Sequence, residues 1–218
     1  MGKNRDDDLC QCGLDEAGRG PVIGPMVVAI VCATNNAMKK IGARDSKTLS
    51  PASRTRKSQE IMESASWHSY RIIGSREINR KMGTMTLNQI EEEAYISLIA
   101  DSVCEGTYYV DAFDVKEDRL TMRLSSLTGK NVICRHKADA IFPVVSAASI
   151  IAKVVRDSEI DKLKLTYGDF GSGYPSDPRT VSFLERSIAE NRDITEIVRM
   201  HWETYRRLTS HRANGRLF

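Results

Sequence analysis

The stretch CGLDEAGRGPVIGPMVVAIVC, Cys12 to Cys32, decides the fold. Its two ends, Cys12–Asp15 and Met26–Cys32, are short and apolar with β-branched residues, and Gly18, Gly20, Pro21, Gly24 and Pro25 punctuate the middle. The pattern predicts two strands joined by a tight glycine-rich loop, with Asp15 and Glu16 where the first strand closes.

Outward from there the chain alternates. Ser50 followed by Pro51 is an N-cap with proline at the first helical position, opening a basic helix to Ser64, and His68–Ile73 reads as a third strand. Thr86 with Gln89 forms a capping box, and Leu87, Ile90, Ala94 and Leu98 recur at helical spacing until Gly106. A strand over Thr107–Asp111, a helix over Lys116–Leu127 and a strand over Asn131–His136 follow, the alternation that builds parallel pairing with crossover helices. The fold class is α/β. A long helix, Ser146 to Leu165, carries Ala147, Ile150, Ile151, Val154 and Val155 on the side expected to pack on the sheet. Beyond Tyr167 the texture changes to a loop, Gly168–Pro178, and two charged helical segments, Thr180–Glu190 and Ile194–Thr209. Two parts are therefore expected, a catalytic domain over 1–166 and a C-terminal helical appendage over 167–218. No internal repeat or low-complexity tract is present.

Composition excludes several classes. With 218 residues, 41% hydrophobic and 28% charged, the chain is that of an ordinary soluble domain, large enough to bury a core. Asp6, Asp7 and Asp8 mark a solvated leader expected to be mobile. The net charge of +3 leans only weakly toward polyanions, so the local clusters carry more: Arg54, Arg56 and Lys57, and the tail residues Arg199, Arg206, Arg207, Arg212 and Arg216. Five cysteines without a cationic, apolar leader point to a reducing intracellular compartment, and Cys10 and Cys12 lack the matching pair that a structural zinc site needs. No apolar run approaches the ~20 residues of a membrane span.

The chemistry lies in carboxylates at strand ends: Asp15 and Glu16 after the first strand, Asp111 after the fourth, Asp139 after the fifth. Such positions are where α/β sheets keep their sites. A carboxylate that ends an apolar strand needs a cation, a metal or local exposure, and hard divalent cations accept oxygen ligands. One geometric objection stands, because adjacent strand residues point to opposite faces and Asp15 and Glu16 cannot both aim at one ion. A break of regularity over Ala17-Gly18-Arg19-Gly20 would resolve it. Asp114 is a rival ligand to Asp111, Asp139 could merely cap a turn, and His136 reads as a surface residue.

Within Gly13–Pro25, the string Asp15-Glu16-Ala17-Gly18-Arg19-Gly20 resembles the signature of type 2 ribonucleases H (ribonuclease HII) of the archaeal and eukaryotic kind. Further matches follow in order: Asp45-Ser46-Lys47 with Leu49, Tyr109-Val110-Asp111, His136-Lys137-Ala138-Asp139, PVVSAASIIAKVVRD from Pro143 to Asp157, and GSGYPSDP from Gly171 to Pro178. The resemblance covers about residues 12 to 205. It implies a ribonuclease H-like mixed β-sheet flanked by helices, with a C-terminal helical part that helps hold the substrate. It further implies that Asp15, Glu16, Asp111 and Asp139 bind two divalent cations, Mg2+ or Mn2+, and that hydrolysis leaves 5′-phosphate and 3′-hydroxyl ends. The implied partners are an RNA–DNA hybrid and duplex DNA with an embedded ribonucleotide, met by a cytoplasmic monomer serving DNA replication and ribonucleotide excision repair.

By the same resemblance, the backbone of Gly18, Arg19 and Gly20 meets the ribose, and Tyr174 contacts the nucleotide at an RNA-to-DNA junction. Lys47 and Lys153 become phosphate contacts, with Ser46 and Arg156 as further candidates. The residue types suit these tasks, since glycine admits close backbone approach, the 2′-hydroxyl distinguishes RNA, and exposed aromatics stack on bases. Each has a plainer alternative: a tight turn for the loop, an ion pair for Arg19, a packing role for Tyr174, surface charge for the lysines. Two competing functions remain on residues alone. A DNA junction resolvase or transposase-type nuclease would share the acids without ribose recognition, and a non-catalytic hybrid-binding protein would not need four intact acids.

Overall fold

The computed structural model describes residues 9–42 and 50–213, with side chains as far as residue 210. The acidic leader and the segment bearing Asp45, Ser46 and Lys47 lie outside the described residues. Five strands form one mixed sheet in the order β3-β2-β1-β4-β5. They are β1 (Cys10–Ala17), β2 (Met26–Thr34), β3 (Trp67–Ile73), β4 (Tyr108–Asp111) and β5 (Val132–Arg135). β1 and β2 pair antiparallel from Cys10↔Thr34 to Ala17↔Val27, whereas β1–β4 and β4–β5 are parallel. The split follows from the connections, a short loop between β1 and β2 and a helix-length crossover before each parallel partner.

The helices among the described residues are α1 (Asn35–Ile41), α2 (Pro51–Ser64), α3 (Ser75–Lys81), α4 (Leu87–Asp101), α5 (Glu117–Thr128), α6 (Ala138–Ile141), α7 (Pro143–Tyr167), α8 (Pro178–Ala189) and α9 (Glu203–Ala213). α2 begins as its sequence predicts, with the Ser50 side chain accepting from Ser53 N and proline in the first turn. The short helices α1, α3 and α6 have too few turns to show an apolar period, and periodicity did not foresee them.

Two compact units emerge. Unit 1 comprises Met1–Ala17, Val27–Arg71 and Asn88–Val155, and unit 2 comprises Gly18–Met26, Ile72–Leu87 and Arg156–Phe218. This partition differs from a single cut after residue 166, because two segments from early in the chain join the C-terminal helices.

In unit 1, Val27, Ala29, Val31 and Ala33 line one face of β2 and share a core with Val144, Val145, Ala147, Ala148 and Ile151 of α7 and with Met38 and Ile61. Each large apolar side chain so buried contributes roughly 1.5–3 kcal/mol. Gly13 is required by a close approach, since a Cβ there would overlap the backbone of Val144 and Val145. β1 also carries Cys12, bonded as a disulfide to Cys32 directly opposite on β2. The expectation of a reducing compartment did not anticipate this bond.

In unit 2, Val22 and Ile23 from the glycine-rich loop are buried with Phe170, Phe183, Leu184, Ile188, Ile194, Ile197, Val198 and Leu208. The last helix, expected from Ile194, starts only at Glu203. The intervening backbone is committed elsewhere: Val198 bridges Ile23, Ile197 O accepts from Gly24 N at 2.8 Å and Ser75 Oγ at 2.8 Å, and Val198 O accepts from Asn79 Nδ2 at 2.8 Å. Carbonyls bound in this way are not available to an i→i+4 helical ladder.

Candidate active site

Because β1, β4 and β5 run parallel, their C-terminal ends lie at one edge of the sheet, and that edge collects the acids. Asp15 stands near the end of β1, Asp111 is the last residue of β4, and Asp139 lies in the first turn of α6, just beyond β5. One carboxylate oxygen from each lies within 4.8 Å of the other two. Lys137, in the left-handed region at φ 56°, turns the chain from β5 into α6, and Asp111 Oδ1 accepts from Ala138 N at 3.2 Å. That bond ties the start of α6 to the end of β4.

Glu16 is placed differently. The β1–β2 pairing stays in register through Ala17, and the three converging oxygens are those of Asp15, Asp111 and Asp139. Its Oε2 instead accepts from the hydroxyl of the fully buried Tyr95 on α4 at 2.9 Å. Tyr95 was not foreseen as a site residue. The available signal was Glu91 followed four residues later by Tyr95, two polar groups on a helix face otherwise apolar, and both are buried.

The electrostatics are those of crowded acids. Burial first, then the charges of Glu16 and Asp111, push the Asp15 carboxyl well above the usual carboxylate range, against opposing bonds from Ser149 and the Glu16 amide. Asp111 is also raised, chiefly by burial, with the Ala138 amide opposing and the charges of Glu16 and Asp139 adding to it. Holding such groups ionised together costs stability unless a cation joins them. An all-carboxylate oxygen set suits Mg2+ or Mn2+ rather than a soft metal.

Lys153 donates to Ser149 Oγ at 2.8 Å, so through that hydroxyl it adjoins Asp15. The rival Asp114 is engaged elsewhere, with Arg119 at 2.6 Å and the Lys116 amide at 3.0 Å. His136 is exposed, its ring lying against the carbonyls of Ala112 and Val115.

Unit 2 gathers most of the residues expected to read the substrate. Gly18 has φ +85°, and a Cβ there would sit 2.6 Å from Pro25 O, so only glycine fits. A Cβ at Gly20 would lie 3.4 Å from the Tyr174 ring. Tyr174 is exposed, and the Arg156 guanidinium sits 5.3 Å from its ring centroid while donating to Ser172 O at 3.0 Å. Arg156 thus braces the Tyr174 loop. Lys47 and Ser46 lie outside the described residues. Arg199, counted from sequence among the basic residues of the tail, is completely buried.

A mixed five-stranded sheet flanked by helices, with acids converging at the ends of its parallel strands, is the arrangement of nucleases of the ribonuclease H-like class. The family model described as Ribonuclease HII matches residues 12–205. A ribonuclease HII of Thermoplasma volcanium is 46% identical over 205 residues, 94% of this chain and 95% of the relative. One of Picrophilus torridus is 51% identical over 200 residues, 92% and 98% of the two chains. The crystal structure of ribonuclease H2 from Pyrococcus horikoshii superposes with a TM-score of 0.87 at 38% identity, covering 93% of this chain and 98% of that one. The chain belongs to the ribonuclease HII family, and it is a ribonuclease H, a hydrolase acting on RNA–DNA hybrids.

Proposed function

We propose that the chain cleaves the RNA strand of hybrids internally and also cuts at single ribonucleotides embedded in duplex DNA, leaving 5′-phosphate and 3′-hydroxyl ends. The observation that carries the chemistry is the convergence of Asp15, Asp111 and Asp139 oxygens within 4.8 Å. Two divalent cations, when bound by these residues and Glu16, would supply water activation and stabilisation of the leaving oxygen. The chain's own groups restrain these side chains: Asp111 accepts from Ala138 N, Ser149 bonds Asp15, and Tyr95 donates to Glu16.

Selectivity for RNA is assigned to the backbone of Gly18–Gly20, and junction reading to Tyr174, whose exposed ring offers a stacking face. Lys153 and Lys47 are assigned to phosphates. Arg156 supports Tyr174. Such an activity fits removal of RNA primers and of misincorporated ribonucleotides. Among the described residues no helix is long and apolar enough to cross a membrane.

The test is cleavage, with and without Mg2+, of three labelled duplexes: all DNA, an RNA–DNA hybrid, and DNA with one ribonucleotide. Metal-dependent cutting of the last two alone is expected. Cutting of all-DNA duplex would favour a junction-type nuclease, and silence on all three would favour a binding protein.

A further inference from the structure

Arg199 is an anomaly of burial: a guanidinium with 0% exposure, bonded to carbonyls 175 to 181 residues earlier in the chain. Burying a cation is costly unless its donors are met, and here they are met by carbonyls of the glycine-rich loop. Arg199 Nη2 donates to Gly18 O at 2.6 Å, Nη1 to Arg19 O at 3.0 Å and Nε to Gly24 O at 2.9 Å. The next carbonyl, that of Gly20, accepts from Trp202 Nε1 at 3.0 Å, and the Arg199 guanidinium lies 4.9 Å from the Trp202 ring. Three consecutive carbonyls are thus drawn to one side by two side chains from the segment before α9. Burial and the Arg156 charge pull the Arg199 pKa down to about 9, which leaves it cationic at neutral pH.

Planarity of the peptide bond gives this a consequence. In a trans peptide the C=O and the following N–H point in opposite directions, so drawing the Gly18 and Arg19 carbonyls toward Arg199 turns the amides of Arg19 and Gly20 away from it. Pro21, which follows the Gly20 carbonyl, carries no N–H. The fork of guanidinium donors can hold several carbonyls at fixed angles, which an ammonium cannot match.

We infer that Arg199 and Trp202 are positioning residues that set the amides of Arg19 and Gly20 for the ribose 2′-hydroxyl, so that discrimination between RNA and DNA is fixed from beneath the loop. The inference rests on the reading that this loop meets the ribose.

The experiment uses Trp202→Phe, which keeps a ring and loses the Nε1 donor, and Arg199→Lys, which keeps the charge and loses the fork. Each is assayed in Mn2+ on a duplex with one ribonucleotide, with the all-DNA duplex of the same sequence as a competitive inhibitor. KM for the ribonucleotide duplex should rise about tenfold in both variants while Ki for the all-DNA competitor moves less than twofold. The thermal stabilisation by Mn2+ alone should stay at the wild-type value, as the carboxylates are untouched. Equal increases in KM and Ki, or no change in either, would overturn the inference. If the wild-type chain itself bound both duplexes alike, the underlying reading of the loop would fail instead.

Discussion

The hydroxyl of Tyr95 on α4 donates to Oε2 of Glu16 on β1 at 2.9 Å, and burial together with the Glu16 and Glu91 charges pushes the phenol above its ordinary range. Tyr95 therefore stays protonated and remains a donor. Tyr95→Phe should lower kcat about tenfold and cost about 1 kcal/mol of stability, the net worth of a typical buried hydrogen bond. Steady-state kinetics beside thermal unfolding would check it, and an unchanged kcat would remove Tyr95 from the machinery.

Asp111→Asn should abolish cleavage while making the metal-free chain more stable, by about 1 kcal/mol. The amide can still accept from Ala138 N, and the charge that raises Asp15 is gone. Calorimetry in chelator, paired with the cleavage assay, decides this. A destabilised variant would mean that Asp111 is structural.

Acidity should act on metal-free stability in a defined direction. Asp15 and Asp111 are raised above the ordinary aspartate value of about 3.9, so between that value and their folded values the native state binds more protons than the unfolded one. The contribution of these two groups to stability is therefore fully present below about 4 and is lost as pH rises through their folded pKa values. Divalent cation binds the ionised form, so its stabilisation should grow over the same window, reaching about 2.7 kcal/mol at one hundred times Kd. Melting curves against pH, with chelator and with Mn2+, would show the two trends diverging. Parallel trends would refute the assignment.

Gly18→Ala introduces a Cβ at φ +85° facing Pro25 O. The strain should cost about 1–3 kcal/mol, and KM for a hybrid should rise as the loop shifts. Retention of both wild-type stability and KM would show the loop to be more pliable than its geometry indicates.

Tyr174→Ala should impair cutting at a single ribonucleotide about tenfold more than cutting of a long hybrid, since base–aromatic stacking is worth about 1–3 kcal/mol. The ratio of kcat/KM on the two substrates measures this. An equal fall in both would leave Tyr174 a packing residue of unit 2.

Much of the molecule was legible from the chain. The β1 and β2 strands, the Ser50 cap, the apolar face of α7 and the acids at strand ends each depend on short-range pattern, and short-range pattern is what a sequence displays. What escaped depends on distant partners. Glu16 accepts from the hydroxyl of Tyr95, 79 residues further along, and nothing at Glu16 itself announces that partner. Ile194–Met200 carries helical composition, yet the carbonyls of Ile197 and Val198 are claimed by Gly24, Ser75 and Asn79. Arg199 looked like its exposed neighbours Arg206 and Arg207 because composition records a charge and not its burial.

Unit 2 draws Val22 and Ile23 from near the start of the chain and Ile197 and Val198 from near its end. On the ribosome, β1 and β2 can pair while the loop between them waits for almost the whole remaining message to be read. Only when Arg199 emerges do the carbonyls of Gly18 and Arg19 find their donors. A prematurely terminated chain would carry the acids without a finished loop, so on the proposed reading of that loop the discrimination of RNA from DNA would be among the last properties the nascent protein acquires.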